Sequence, residues 1–212
     1  GSNSLVRNCT IVGNYNAKSG AAGNAGGGGV DMSAGRLVGC SISNNYCTSY
    51  AGGVRSQGYS LIDGCTIASN SAGGTASGGG VYAYAGSLYT NCVVSNNYAN
   101  ASGGMSLSSG SSTVTCSVIC HNRGGNDDGG MTVGNYCRVF DCTIGPSNVV
   151  AASRVGGLKI SGAESVVSNC LIVGNYGHEA AGGVWMTSGL LVNSRVISNR
   201  FGGVGSGAGG VN

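Results

Sequence analysis

Proline occurs once in this 212-residue chain, charged residues make up 8% and aromatic residues 6%. Each scarcity excludes something. Glycine is abundant, 43 residues, but it has no three-residue period and almost no proline beside it, which rules out a collagen triple helix. Low charge combined with ample Val, Ile and Leu is the reverse of a disordered composition. Ten Lys and Arg against seven Asp and Glu leave a net charge of +3, spread too thinly to form the basic stripe that tracks a phosphate backbone, so no nucleic-acid partner is expected. No apolar run approaches the roughly 20 residues of a membrane helix, so no membrane span is expected. The chain does not open on a charged segment followed by an apolar one, the pattern of a secretory leader. Nor does any stretch of helical length and spacing run free of glycine, so crossover helices are not expected.

What the sequence does contain is repetition. A Gly-Gly-aliphatic step recurs at Gly28-Gly29-Val30, Gly52-Gly53-Val54, Gly79-Gly80-Val81, Gly103-Gly104-Met105, Gly129-Gly130-Met131, Gly156-Gly157-Leu158, Gly182-Gly183-Val184 and Gly209-Gly210-Val211, with apolar residues 24, 27, 24, 26, 27, 26 and 27 positions apart. Fixed segments joined by loops of variable length produce such spacing. Alternating with it is a Cys-x-aliphatic-x-x-Asn block, seen at Cys9 to Asn14, Cys40 to Asn45, Cys65 to Asn70, Cys92 to Asn97 and Cys170 to Asn175. Three copies read as degenerate: Cys116 runs on to His121, Cys142 runs on to Ser147, and Ser194 replaces the cysteine before Asn199.

Inside each copy, apolar and polar residues alternate with the period of a half-buried strand. With a further apolar pair before each cysteine, as in Leu61-Ile62 and Val166-Val167, the reading is three strands per coil. Parallel strands without crossover helices join by winding continuously. The expected fold is all-β, a right-handed parallel β-helix of about eight three-stranded coils of roughly 26 residues each. At a rise of about 4.8 Å per coil the rod is on the order of 38 Å long. The repeated Asn, and the Asn, Gly or Asp just before the core position in most coils, suit tight left-handed corners and stacked amide hydrogen bonds.

The alternation of Gly-Gly-aliphatic steps with aliphatic-x-x-Asn blocks such as Ile11-Val12-Gly13-Asn14 resembles the paired motifs of chlamydial polymorphic outer-membrane-protein passengers, and more widely the bacterial β-helix surface proteins. The resemblance spans nearly the whole chain and implies an extracellular or cell-surface location. Its motifs are core and corner residues, specific for a fold and not for an activity.

Seven cysteines, Cys9, Cys40, Cys65, Cys92, Cys116, Cys142 and Cys170, share one inward repeat position and are expected to form a ladder. Rungs about 4.8 Å apart exceed the ~3.8 Å Cβ separation of a disulfide, so mostly unpaired, buried thiols acting as small hydrophobes are expected. A straight row cannot converge on a metal ion, and no metal or cofactor is expected. Cys47, Cys120 and Cys137 lie outside the ladder; pairing of Cys116 with Cys120 across a corner is left open.

The outward residue after each Gly-Gly-aliphatic step does not repeat: Asp31, Arg55, Tyr82, Ser106, Thr132, Lys159, Trp185 and Asn212. Ice-binding solenoids need a flat repetitive array, which this row is not. Arg55, Tyr82, Tyr84, Lys159 and Trp185 are the candidate ligand-binding residues, for a glycan or a host or cell-surface protein, because exposed aromatics offer stacking area at little entropy cost. Polysaccharide lyases and glycoside hydrolases also use β-helices, and their chemistry needs clustered acids with a base. Asp127, Asp128, Lys159 and His178 are the candidates for that alternative. The expected domain is one solenoid over 1–212, uncapped at both ends and in phase with its own beginning. That phase implies covalent continuation of the rod or head-to-tail self-association. The leading expectation is a non-enzymatic structural or adhesive surface β-helix.

Overall fold

The structure, a computed structural model, describes residues 4–17, 26–74, 77–152, 154–203 and 206–212. The first three residues, on which the phase match of the two ends partly rests, lie outside the described residues. The first coil runs through strands Leu5–Arg7, Thr10–Val12, Tyr15–Asn16 and Val30–Met32, and each of these opens a separate parallel sheet. Three sheets contain eight strands and the fourth contains seven, extended by a bridge between Val184 and Val211. No helix occurs among the described residues. The fold is therefore an all-β parallel β-solenoid.

The number of strands per coil needs correction. A coil has four strands, not three, so the strands make seven complete coils and a partial eighth. The missed strand is the two-residue segment after each corner Asn, such as Tyr46–Cys47 or Tyr98–Ala99. Two residues are too short to display a period, and only the pairing across coils defines them.

The core is a set of stacked columns. Ile42, Ile67, Val94, Ile119, Ile144 and Ile172 follow one another up the second sheet, all fully buried. The Gly-Gly step faces the third sheet at backbone contact. A Cβ on Gly52 would stand 2.5 Å from the main chain of Ser71, and one on Gly104 would stand 2.4 Å from the Gly130 carbonyl oxygen. At the seven steps that have a coil stacked above them, a side chain would force the coils apart.

Each coil turns through two left-handed residues, one before the cysteine position and one before the Asn position. Asn91 and Asn96, with φ of 53° and 56°, are one such pair. His121 and Ser147 belong to the second column, with φ of 56° and 58°. The Asn row therefore is not degenerate in those coils: Asn122 and Asn148 carry it on, both fully buried. From Asn45 to Asn199, each Asn side-chain oxygen accepts hydrogen bonds from both the backbone N–H and the Nδ2 of the Asn one coil earlier. For Asn97 Oδ1 the donors are Asn70 N–H at 2.9 Å and Asn70 Nδ2 at 3.1 Å, while Asn97 Nδ2 also donates to the Ile67 carbonyl at 2.9 Å.

The cysteine row is corrected in the same way. Val93 pairs with Val118, which sets Ser117 and not Cys116 above Cys92. Cys116 is exposed and occupies the left-handed corner at φ 48°. The thiols are also more than small hydrophobes. Cys92 Sγ donates to the Thr90 carbonyl at 3.2 Å, as Ser117 Oγ does to Thr115 at 2.8 Å, and Cys92 N–H donates to Ser117 Oγ at 3.1 Å. Thiol and hydroxyl do the same job, so Ser117 and Ser194 interrupt the row without breaking the corner. All ten cysteines are free, Cys116 and Cys120 included.

Candidate binding face

The outward side of the fourth sheet collects the side chains that do not repeat. Strand register stacks Asp31 on Arg55, Arg55 on Tyr82, Thr132 on Lys159 and Lys159 on Trp185. The five expected ligand-binding residues divide into two patches along it.

Arg55 and Tyr82 form the first. Arg55 is ion-paired with Asp31 at 3.3 Å, and its guanidinium lies 5.1 Å from the ring centre of Tyr50, which in turn meets Tyr82 at 5.1 Å with the planes tilted 40°. With Gln57 and Tyr84 they line a recess of about 210 Å³. Tyr84 is 47% exposed at its rim.

Lys159 and Trp185 form the second, roughly four coils from the first, or about 19 Å along the axis. Lys159 Nζ lies 3.2 Å from Asp127 Oδ1, and Arg154 is ion-paired with the same carboxylate. Both cations sit 5.3 Å from the Trp185 ring centre. Arg154 and Tyr50 are the residues that sequence reasoning missed. A signal for them existed: Tyr50, Asp127 and Arg154 all stand two places before the Gly-Gly step, so Asp127 and Arg154 are stacked neighbours of opposite charge.

Of the alternative catalytic set, Asp127, Asp128 and Lys159 come together and His178 does not. His178 makes no hydrogen bond or ion pair with the other three among the described residues, and its Nδ1 is buried without a partner. Asp128 is fully buried. Its Oδ2 accepts from Thr132 Oγ1, which shares a 2.7 Å hydrogen bond with Ser102 Oγ, while Oδ1 has no partner. Burial, reinforced by the Asp127 charge, pushes the Asp128 carboxyl up to about 7 despite the opposing pull of Lys159.

Among the described residues no three of His, Cys, Asp and Glu converge as metal ligands, and no helix is long and apolar enough to cross a membrane. No family model, no curated protein and no solved structure matches the chain.

Proposed function

We propose that this chain is a non-enzymatic structural or adhesive β-helix of an extracellular or cell-surface protein, in the manner of the chlamydial-type and autotransporter passengers its repeats resemble. Recognition takes place on the outer face of the fourth sheet. The observation that carries this reading is the contrast between monotonous inner columns and an outer row whose aromatic and cationic side chains are held by mutual contacts. Side chains already ordered by ion pairs and ring contacts lose little entropy on binding. Tyr82, Tyr84 and Trp185 present stacking surface to a glycan or to an apolar protein anchor, and Arg55 and Lys159 supply donors.

The test is adhesion to a glycan array and to host-cell or neighbouring-cell surface extracts. Tyr82→Ala and Trp185→Ala are expected to weaken any interaction found, and binding that ignores both would remove the face from consideration. The same reading includes coils stacking end to end, on more of the same chain or on a second copy. Light scattering that shows a monomer at all concentrations would count against the second copy.

A second reading follows from the convergence of Asp127, Asp128 and Lys159: a polysaccharide lyase or glycoside hydrolase working on this same outer face. Against it stand the complete burial of Asp128 and the double cation contact that occupies Asp127. Turnover of any member of a panel of neutral and anionic polysaccharides, lost in Asp127→Asn, would favour it over adhesion.

A further inference from the structure

The third sheet carries a surface of its own. Its strands are two residues long; the second residue turns inward, as buried Cys47, Ala72 and Ala99 show, and the first turns out. Stacked in this outward column are Tyr15, Tyr46, Tyr98, Arg123, Tyr176 and Arg200. Four of the chain's ten tyrosines are therefore concentrated on the shortest strands of the coil.

The rings are arranged along the axis. Tyr15 and Tyr46 stack at 5.1 Å with planes 7° apart. Tyr46 reaches over Gly73 of the next coil and Tyr176 over Gly202; a Cβ on either glycine would come within 2.4 or 2.0 Å of the phenol oxygen. Those two rings thus lie along the sheet instead of standing off it. Arg123 and Arg200 are exposed, and among the described residues neither has an ion pair or a side-chain hydrogen bond. Arg55 and Lys159 on the fourth sheet, and Arg154 in the loop leading to it, are by contrast all engaged by carboxylates. Neither the tyrosine column nor the residues two places further on include an Asp or Glu.

We propose that the outer face of the third sheet binds an extended anionic polysaccharide. The polymer lies along the solenoid axis with sugar faces on the tyrosines and its carboxylate or sulfate groups on Arg123 and Arg200. The tyrosines stand in the first, second, fourth and seventh coils, so ring surface is supplied at whole multiples of about 4.8 Å along the axis, and guanidinium pairs bidentately with planar anions. A nucleic acid, with a phosphate on every unit, calls for a continuous cationic groove, which two arginines about 14 Å apart do not make.

The experiment titrates the chain at low salt with polygalacturonate and with heparin, alongside a neutral glucan and a single-stranded oligonucleotide. Binding to polygalacturonate, heparin or both is expected, and the preference tells carboxylate from sulfate recognition. The double variant Arg123→Gln/Arg200→Gln is expected to weaken it about tenfold or more, and Tyr98→Ser/Tyr176→Ser to weaken it similarly. Ser71 and Val149 already fill this position in other coils, so the fold accepts small residues there, and a thermal melt of each variant confirms it. The charge-matched control Arg138→Gln/Arg195→Gln is expected to retain binding, and about 1 M salt, with a Debye length near 3 Å, to abolish it. Failure of both anionic polymers to bind, equal loss in the control, or tighter binding of the oligonucleotide would each overturn the proposal. Loss in Trp185→Ala with retention in Arg123→Gln/Arg200→Gln would move the polymer to the fourth sheet, overturning this assignment while supporting the other face.

Discussion

Asp128 stands in a column whose other members include Ala51, Ser102, Val155 and Ala181, all buried. An unfolded aspartate ionises near 3.9, whereas the folded group does so at about 7. Folding therefore favours the protonated form. Below pH 4 the residue is harmless; from there to about pH 7 stability falls, and above that the cost is constant, on the order of 4 kcal/mol. Asp128→Ser, which copies Ser102 of the preceding coil, is expected to raise the melting temperature at pH 8 and to leave it nearly unchanged at pH 4. An equal effect at both pH values would show that the carboxyl is not buried as described.

Tyr89 is a second residue that departs from its column, where Ile62 and Val114 are its neighbours. It is fully buried, and its hydroxyl shares a 2.7 Å hydrogen bond with Ser56 Oγ. Tyr89→Phe strands the serine hydroxyl and is expected to cost about 1–2 kcal/mol in denaturant unfolding. Adding Ser56→Ala should recover part of that loss; full additivity would argue against the bond. Among the thiols, burial pushes Cys65 up to about 11 and Cys92 up to about 12. Native alkylation at pH 8 is accordingly expected to modify exposed Cys9 and Cys116 first, a result that peptide mapping checks.

At the scale of an element, the Asn row is a largely buried polar network in which every oxygen from Asn45 to Asn199 accepts twice. Replacing Asn97 by Ala removes the acceptor for two Asn70 donors and the donor to the Ile67 carbonyl. With buried groups orphaned at about 1–3 kcal/mol each, a loss of roughly 3 kcal/mol or more is expected in urea unfolding. Asn14, at the low-numbered end of the row, is exposed and lacks a rung below it among the described residues, so Asn14→Ala is expected to cost much less. Comparable losses at the two sites would mean that amide stacking is not the source of the effect.

For the whole molecule, every strand pairing joins a coil to its immediate neighbour, so stability is close to a sum of local terms. Ile42→Ala and Ile172→Ala lie five coils apart, about 24 Å, and each is expected to cost about 2–5 kcal/mol with no interaction beyond about 0.5 kcal/mol. Ile119→Ala with Ile144→Ala, in contact across adjacent coils, should depart from additivity. Additivity in the second pair would contradict the nearest-neighbour picture.

Repetition made the fold legible, because the coils place seven or eight samples of each position side by side and a solenoid core depends on little beyond that period. The inner columns, the Gly-Gly contact and most corner residues followed from it, as did the non-repeating outer row with Arg55, Tyr82, Lys159 and Trp185. What the sequence left open was phase and convergence. A shift of one residue at Cys116 misassigns a whole corner, and only hydrogen-bond register between strands shows Ser117, Asn122 and Asn148 to be the rungs. Strands two residues long have no period to read, so the third sheet and its tyrosines emerged only in three dimensions. The opposed charges of Asp127 and Arg154 stood at one repeat position, but the contact of Arg154 and Lys159 with both Asp127 and the Trp185 ring was decided by side-chain geometry, which the repeat does not constrain.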